Sequence, residues 1–417
     1  MGFPNGRRRI AVAVAALLAT AAVAVTVYRV LAPAEVSTPA RAGYPPAASP
    51  APGVVGRLPV APLIVDDRLR VYAAHRQVYA DRPVDGRHRT TPFWSYRRWP
   101  AALDAVVASG TTVVTRWSDG RLVALDARTG RVAWQSDGPP PVGERTVRRT
   151  GAAITWDPRG LLVAHAPDGR QAVVAVGADR TRAVDLADGR ELWRAEVGAG
   201  CREAVGGTAS GQVVSVDSCV GPATLEFRDA ATGAVSLRWR PPDAGDELVA
   251  TPVGCGPGRS GCAGLRTSVP GDDAGRGWLL GAGEPTAAAA LDRRDAELVD
   301  GTAVAVVDGV AVGSSARTGA SLWRRPDLPG ARLLAVQPGR VHLLTETNDL
   351  LTLDPATGAQ RSFFALNAGS DGVGWAPGAV YAAGGFVAVE RLRKPVDPAG
   401  DDQRYYLTSE PVILAAT

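Results

Sequence analysis

A chain of 417 residues is too long for one small core and long enough for two or three domains or one large closed β architecture. Gly (48) and Pro (32) are abundant, and much of the 46% apolar content falls as short runs of Val, Ala and Leu between Gly, Asp and Pro. That is the texture of many short strands joined by turns. The net charge of +4 invites a polyanion partner, but Arg7, Arg8, Arg9 and Arg29 all precede the first acidic residue. Taking those four from 46 basic residues leaves 42 against 42 acidic, so the remainder is neutral and carries no nucleic-acid footprint.

Residues 1–9 end in Arg7-Arg8-Arg9 and lead into an uncharged, largely apolar run from Ile10 to Tyr28. A run of roughly 20 residues crosses a hydrocarbon core as a helix and exceeds the apolar region of about 7–15 residues in a cleaved signal. The expectation is a short cytoplasmic segment (1–9), a transmembrane signal anchor (10–31) and an extracytoplasmic remainder. The small-x-small pattern Ala32-Pro33-Ala34 keeps a cleaved signal as the alternative. Residues 32–62, rich in Pro and Ala, read as a semi-extended linker.

From residue 63 to 417 one unit recurs. Its clearest copy runs from Arg121 through Leu125-Asp126-Ala127-Arg128-Thr129-Gly130 to Trp134: an alternating strand, Asp, a turn ending in Gly, and a strand with Trp. Asp185 and Gly189 lead to Trp193, Asp229 and Gly233 to Trp239, Gly319 to Trp323, and Asp354 and Gly358 to Phe363. The turn glycines are spaced 59, 44, 86 and 39, the 86 being two periods with a weak copy at Gly275 and Trp278. The 59 implies an insertion around Pro139–Arg149. Gly86 and Gly400 extend the series outward, making eight registers. A period near 40–45 with short strands means propeller blades. The expected fold is therefore all-β: a propeller of eight blades, with seven as the alternative, preceded by one transmembrane helix. Gly supplies the positive φ of each turn, Trp134, Trp193, Trp239 and Trp323 dock blades, and the final strand Val412–Ala416 closes the ring near Leu63–Val65.

The Asp-x-x-Thr-Gly-x-x-x-Trp unit resembles the repeat of the pyrroloquinoline-quinone (PQQ) propeller family. The resemblance covers most of residues 63–417 and is sharpest at Gly130, Gly189 and Gly319. That family includes quinone-dependent dehydrogenases and also cofactor-free propellers, such as the scaffold lipoprotein of the outer-membrane barrel-assembly machinery. The enzyme branch carries a bridge between adjacent cysteines over the quinone; here no two cysteines are adjacent. Asp66-Asp67, Asp272-Asp273 and Asp401-Asp402 read as solvated turn acids. His75, His88, His165 and His342 show no metal-ligand spacing. The Gly256-Pro257-Gly258-Arg259-Ser260-Gly261 match to a dinucleotide loop contains a proline and is bracketed by Cys255 and Cys262, so it reads as a disulfide-closed surface loop. The stretch Arg87–Trp99 is the most partner-like segment, although Trp94 also suits blade docking.

Cys201 and Cys219 flank a strand and a hairpin turn, and Cys255 and Cys262 are close enough to pair locally; three connectivities are possible, and these two pairings are expected in an exported chain. No catalytic, cofactor-binding or metal residue emerges. The expected function is a non-catalytic protein- or ligand-binding scaffold of the cell envelope, held to the membrane by its N-terminal helix, with an unnamed protein partner and no nucleic acid. A PQQ-dependent dehydrogenase using calcium is the alternative. A small-ligand sensor is the second alternative, disfavoured because residues 1–9 hold no domain to receive a signal.

Overall fold

The computed structural model describes residues 13–25, 34–143, 149–196, 201–242, 244–271, 275–372, 374–396 and 404–417. Their strands form eight antiparallel sheets. Blades 1–7 take their strands in chain order, with inner strands Pro62–Val65, Leu103–Ser109, Leu161–His165, Arg202–Gly207, Val249–Val253, Glu297–Val299 and Arg332–Gln337. Ala376–Ala383 is the inner strand of blade 8. Neighbouring inner strands touch one another around a central axis. We call the face on which inner strands begin the upper face, and the opposite one, which carries the turns between third and fourth strands, the lower face.

Strand interiors are mostly buried on both sides, and the apolar clusters bridge adjacent blades. Ring closure therefore supplies the core that a single four-stranded sheet lacks. The closure differs from the sequence expectation. Val412–Ala416 pairs with Gly53–Leu58, which becomes the outer strand of blade 8; it does not meet Leu63–Val65. A second N-terminal strand, Ala34–Thr38, pairs antiparallel along Trp94–Trp99 as a fifth strand of blade 1. Between them, Ala40 N–H donates to Thr129 of blade 2, and Ala48 N–H and the Tyr44 hydroxyl reach Asp67 and Asp66 of blade 1. Much of the 32–62 segment is thus a belt and not a linker. None of its described prolines falls within Ala34–Thr38 or Gly53–Leu58, so neither strand loses a ladder donor.

One repeat register shifts. Gly275 joins the second and third strands of blade 5, whose outer strand is only Thr286–Ala287, and Trp278 sits on the third strand. Gly400 and the acids Asp272-Asp273 and Asp401-Asp402 lie outside the described residues. At the N-terminus, the described helix covers residues 13–25, a length of about 20 Å. Among the described residues no helix is long and apolar enough to cross a membrane. The remainder of the expected anchor, 10–12 and 26–31, lies outside them. The helix is solvent-exposed throughout, with Leu17 72% and Leu18 63% accessible.

Candidate functional site

The repeat residues build the walls. Each turn glycine has φ near +70° (Gly130 68°, Gly189 73°, Gly233 72°, Gly319 72°, Gly358 68°). The preceding Asp carboxylates accept backbone N–H groups inside the turns, as Asp185 does from Ala187 and Asp229 from Thr232. The glycine of one repeat does not meet the tryptophan of that repeat. It receives the tryptophan of the preceding blade: Trp94 lies on Gly130, Trp134 on Gly189, Trp193 on Gly233 and Trp323 on Gly358. Their indole N–H groups donate to Ala127, Leu186, Ala230 and Pro355 carbonyls at 2.7–2.9 Å. Trp239 meets the irregular blade 5 instead and packs edge-on against Trp278 at 4.8 Å. Gly319 receives no ring, since blade 5 offers no outer tryptophan. Phe363, in the position of a docking residue, is 53% exposed.

The axis is occupied by the chain itself. The insertion between blades 2 and 3 carries the short helix Ala152–Thr155, which packs against the inner strands of blades 1 and 2. Thr150 reaches the buried Glu390 of blade 8, and its carbonyl accepts from Ala61 at the start of blade 1. Trp156 stacks on Tyr381 of blade 8 at 5.9 Å and donates to Pro62 O. From the lower face, the hairpin between the first two strands of blade 5 turns inward. Its 3₁₀ turn Pro257–Arg259 touches the inner strands of blades 2, 3 and 4, with Gly258 buried beside Val107. Cys255–Cys262 closes this hairpin, and Cys262 N–H bonds Gly207 O. The Gly256–Gly261 segment is therefore an axial plug, and the surface-loop expectation is corrected. Arg259, in the left-handed region at φ 55°, meets Asp157 of the upper insertion. Two loops from opposite faces are pinned together within the ring.

Beside this pin, the upper face holds a cavity of about 400 Å³ between blades 2, 3 and 4. Among the described residues four arginines line it, Arg116, Arg159, Arg202 and Arg259, with Glu203 as the one carboxylate. Arg116 is buried, bound to Asp104 and to the Gly160, Val176 and Arg159 carbonyls. Arg202 begins blade 4, next to the Cys201–Cys219 bridge that joins the first two strands there. Its side chain is 10% exposed, paired with Asp217 at 2.6 Å and Glu226 at 3.5 Å, and among the described residues its buried Nε has no hydrogen-bond partner. Partial burial pushes the Asp217 carboxyl up, but Arg202 and the Cys219 N–H together outweigh it and hold the pKa below the ordinary carboxylate value. No local motif marks these arginines in the sequence. Arg116, Arg159 and Arg202 are spaced 43 and 43, one blade period, which was the available signal.

The remaining candidates disperse. Trp94 is buried in the blade 1–2 interface. Asp66 and Asp67 form a tight turn with φ of 53° and 51°. His342 is buried between Gln337 and Thr352, and burial, helped by nearby Arg340, lowers its pKa to about 3. Among the described residues no three of His, Cys, Asp or Glu converge as a metal would need.

Residues 51–247 match the family described as outer membrane protein assembly factor BamB. With eight sheets around an axis and interlocked Trp and Gly repeats, that match decides the repeat type. The chain is an eight-bladed β-propeller whose residues 51–247 carry PQQ-like repeats. No curated protein matches it. Similar solved structures include BamB from Moraxella catarrhalis, 14% identical over 88% of this chain and 99% of that one, with a TM-score of 0.47. The C-terminal WD40 domain of Sif2 is 11% identical over 88% and 98%, at 0.49. Dihydro-heme d1 dehydrogenase NirN in complex with DHE is 15% identical over 86% and 73%, at 0.45.

Proposed function

We propose that this PQQ-like propeller is a non-catalytic binding scaffold of the cell envelope, tethered through its N-terminal helix with the propeller outside the cytoplasm. The observation that carries the reading is the filled axis. A quinone with calcium needs an axial chamber ringed by convergent polar groups and hard-cation carboxylates. Trp156 against Tyr381 and Gly258 against Val107 stand in that space, and Asp157 is engaged by Arg259. The residues present do not fit the group, so no oxidation step is derived through it. The BamB-like match over residues 51–247 agrees with a protein-contacting role. Two disulfides suit an oxidising compartment. The charge order around Ile10–Tyr28, and a helix whose apolar side chains find no cover on the propeller, suit a membrane tether.

The purified chain, titrated with PQQ and Ca²⁺, is expected to give no dye-linked alcohol or sugar oxidation and no change in melting temperature. Binding at 100 times the dissociation constant would add about 2.7 kcal/mol to stability, so a saturable rise of several degrees would promote the dehydrogenase alternative. Protease added to intact spheroplasts should reach the propeller; full protection would reverse the topology.

A further inference from the structure

We propose that the arginine-lined cavity on the upper face is a binding site for a phosphate group. The lining gathers guanidinium groups from the insertion before blade 3 (Arg159), blade 4 (Arg202) and the axial plug from blade 5 (Arg259), while Arg116 of blade 2, its N–H groups all engaged by Asp104 and three carbonyls, contributes charge and shape. Donors that converge from several directions suit a tetrahedral oxyanion better than a planar carboxylate, which one or two forks satisfy. The carboxylates that hold these arginines, Asp104, Asp157, Asp217 and Glu226, do not line the cavity. They hold the guanidinium groups in place. Fixed donors lose little entropy on binding, which is the advantage of Arg over Lys here. A bare phosphate does not fill about 400 Å³, and Val142, Val176 and Ala204 give the remaining wall an apolar character suited to the group that carries it.

Two further observations point the same way. Arg202 lines the cavity with a side chain nine-tenths buried, and among the described residues its Nε has no hydrogen-bond partner. Ala34, where the described N-terminal segment joins the propeller, pairs with Trp99 at the upper end of blade 1. The N-terminal strand therefore begins on the face that carries the cavity. A phospholipid headgroup and a free phosphate or phosphomonoester share the required chemistry. The proposal rests on the scaffold reading only in taking the upper face as the working face. Loss of that reading through PQQ binding would leave the phosphate result standing.

The test uses the full chain in neutral detergent, titrated calorimetrically with inorganic phosphate at constant ionic strength. A second arm uses dihexanoyl phosphatidic acid, with dihexanoyl phosphatidylcholine as its control. Saturable phosphate binding is expected, weakened roughly tenfold by Arg159→Gln and by Arg259→Gln. Arg317→Gln, on the lower face, should leave it unchanged. Arg159 is largely exposed, so its substitution keeps the test valid even where Arg259→Gln loosens the plug. Tighter binding of phosphatidic acid than of inorganic phosphate identifies a lipid headgroup. Equal binding identifies a soluble phosphate, and both support the site. No saturable binding of either, or binding indifferent to both substitutions, overturns it.

Discussion

Trp134 shows how a single position holds a blade. Its ring lies on Gly189, where an added Cβ would come within 2.5 Å of the indole, and its N–H bonds Leu186 O at 2.8 Å. Glycine there serves two needs, the φ of 73° and the close approach of the ring. Trp134→Ala removes the ring from a sealed interface and is expected to cost about 3–5 kcal/mol. Phe363→Ala, at an exposed ring in the equivalent repeat position, should cost under about 1 kcal/mol. Urea unfolding of the two variants checks the contrast; equal losses would mean the tryptophan does not dock. His342 makes the residue-scale case for pH. Its native pKa of about 3 lies below the unfolded value of 6.5, so the unfolded chain binds the extra proton. The stability it confers is present above pH 6.5 and is lost as pH falls from there toward 3, at up to about 1.4 kcal/mol per pH unit. Replacing His342 with Gln should flatten the stability profile between pH 6.5 and 5. An unchanged slope would assign acid sensitivity elsewhere.

Elements were legible where their signal is local. The Asp, Gly and Trp spacing gave the strands and turns of blades 2, 3, 4, 6 and 7, because a turn that needs positive φ writes a glycine into the chain. Blade 5 blurred because its outer strand is two residues long, so the glycine at 275 marks a different hairpin. The disulfides were readable from short separations, 18 and 7 residues. The destination of the Cys255–Cys262 hairpin was not, because whether a loop points to solvent or to the axis depends on the ring around it. The same holds for Ala34–Thr38 and Gly53–Leu58. Their composition looks unfit to bury a core, and by themselves they would not; they are ordered by sheet edges more than 300 residues away in one case and about 60 in the other. The arginine cavity is likewise assembled from several blades, which leaves only a periodic trace in the sequence.

At the scale of the molecule, the ring closes on a strand that enters from the far end of the chain. Blade 8 is complete only when Gly53–Leu58 lies beside Val412–Ala416, which is fully buried with it. Without that strand, Val412–Ala416 becomes an edge with unpaired N–H and C=O groups and an apolar face opened to water. The Ala34–Thr38 strand adds to blade 1 from outside, is exposed along its length, and closes nothing. The two N-terminal strands therefore predict different outcomes on truncation. Removing residues 1–33 should leave the melting temperature of the propeller unchanged. Removing 1–51 strips the fifth strand of blade 1 and its Arg98–Glu35 pair, a loss of an exposed strand that should cost a few degrees and keep one cooperative transition. Removing 1–58 opens blade 8 and should abolish cooperative unfolding or drive association through the new edge, as read by tryptophan fluorescence in denaturant and by light scattering. A separate peptide spanning residues 53–58 in a longer frame should restore the transition to the 1–58 truncation, since it returns the missing strand. A 1–58 truncation that unfolds cooperatively at the full-length temperature would mean that the inner contacts and the axial pin of Arg259 on Asp157 close the ring without the belt.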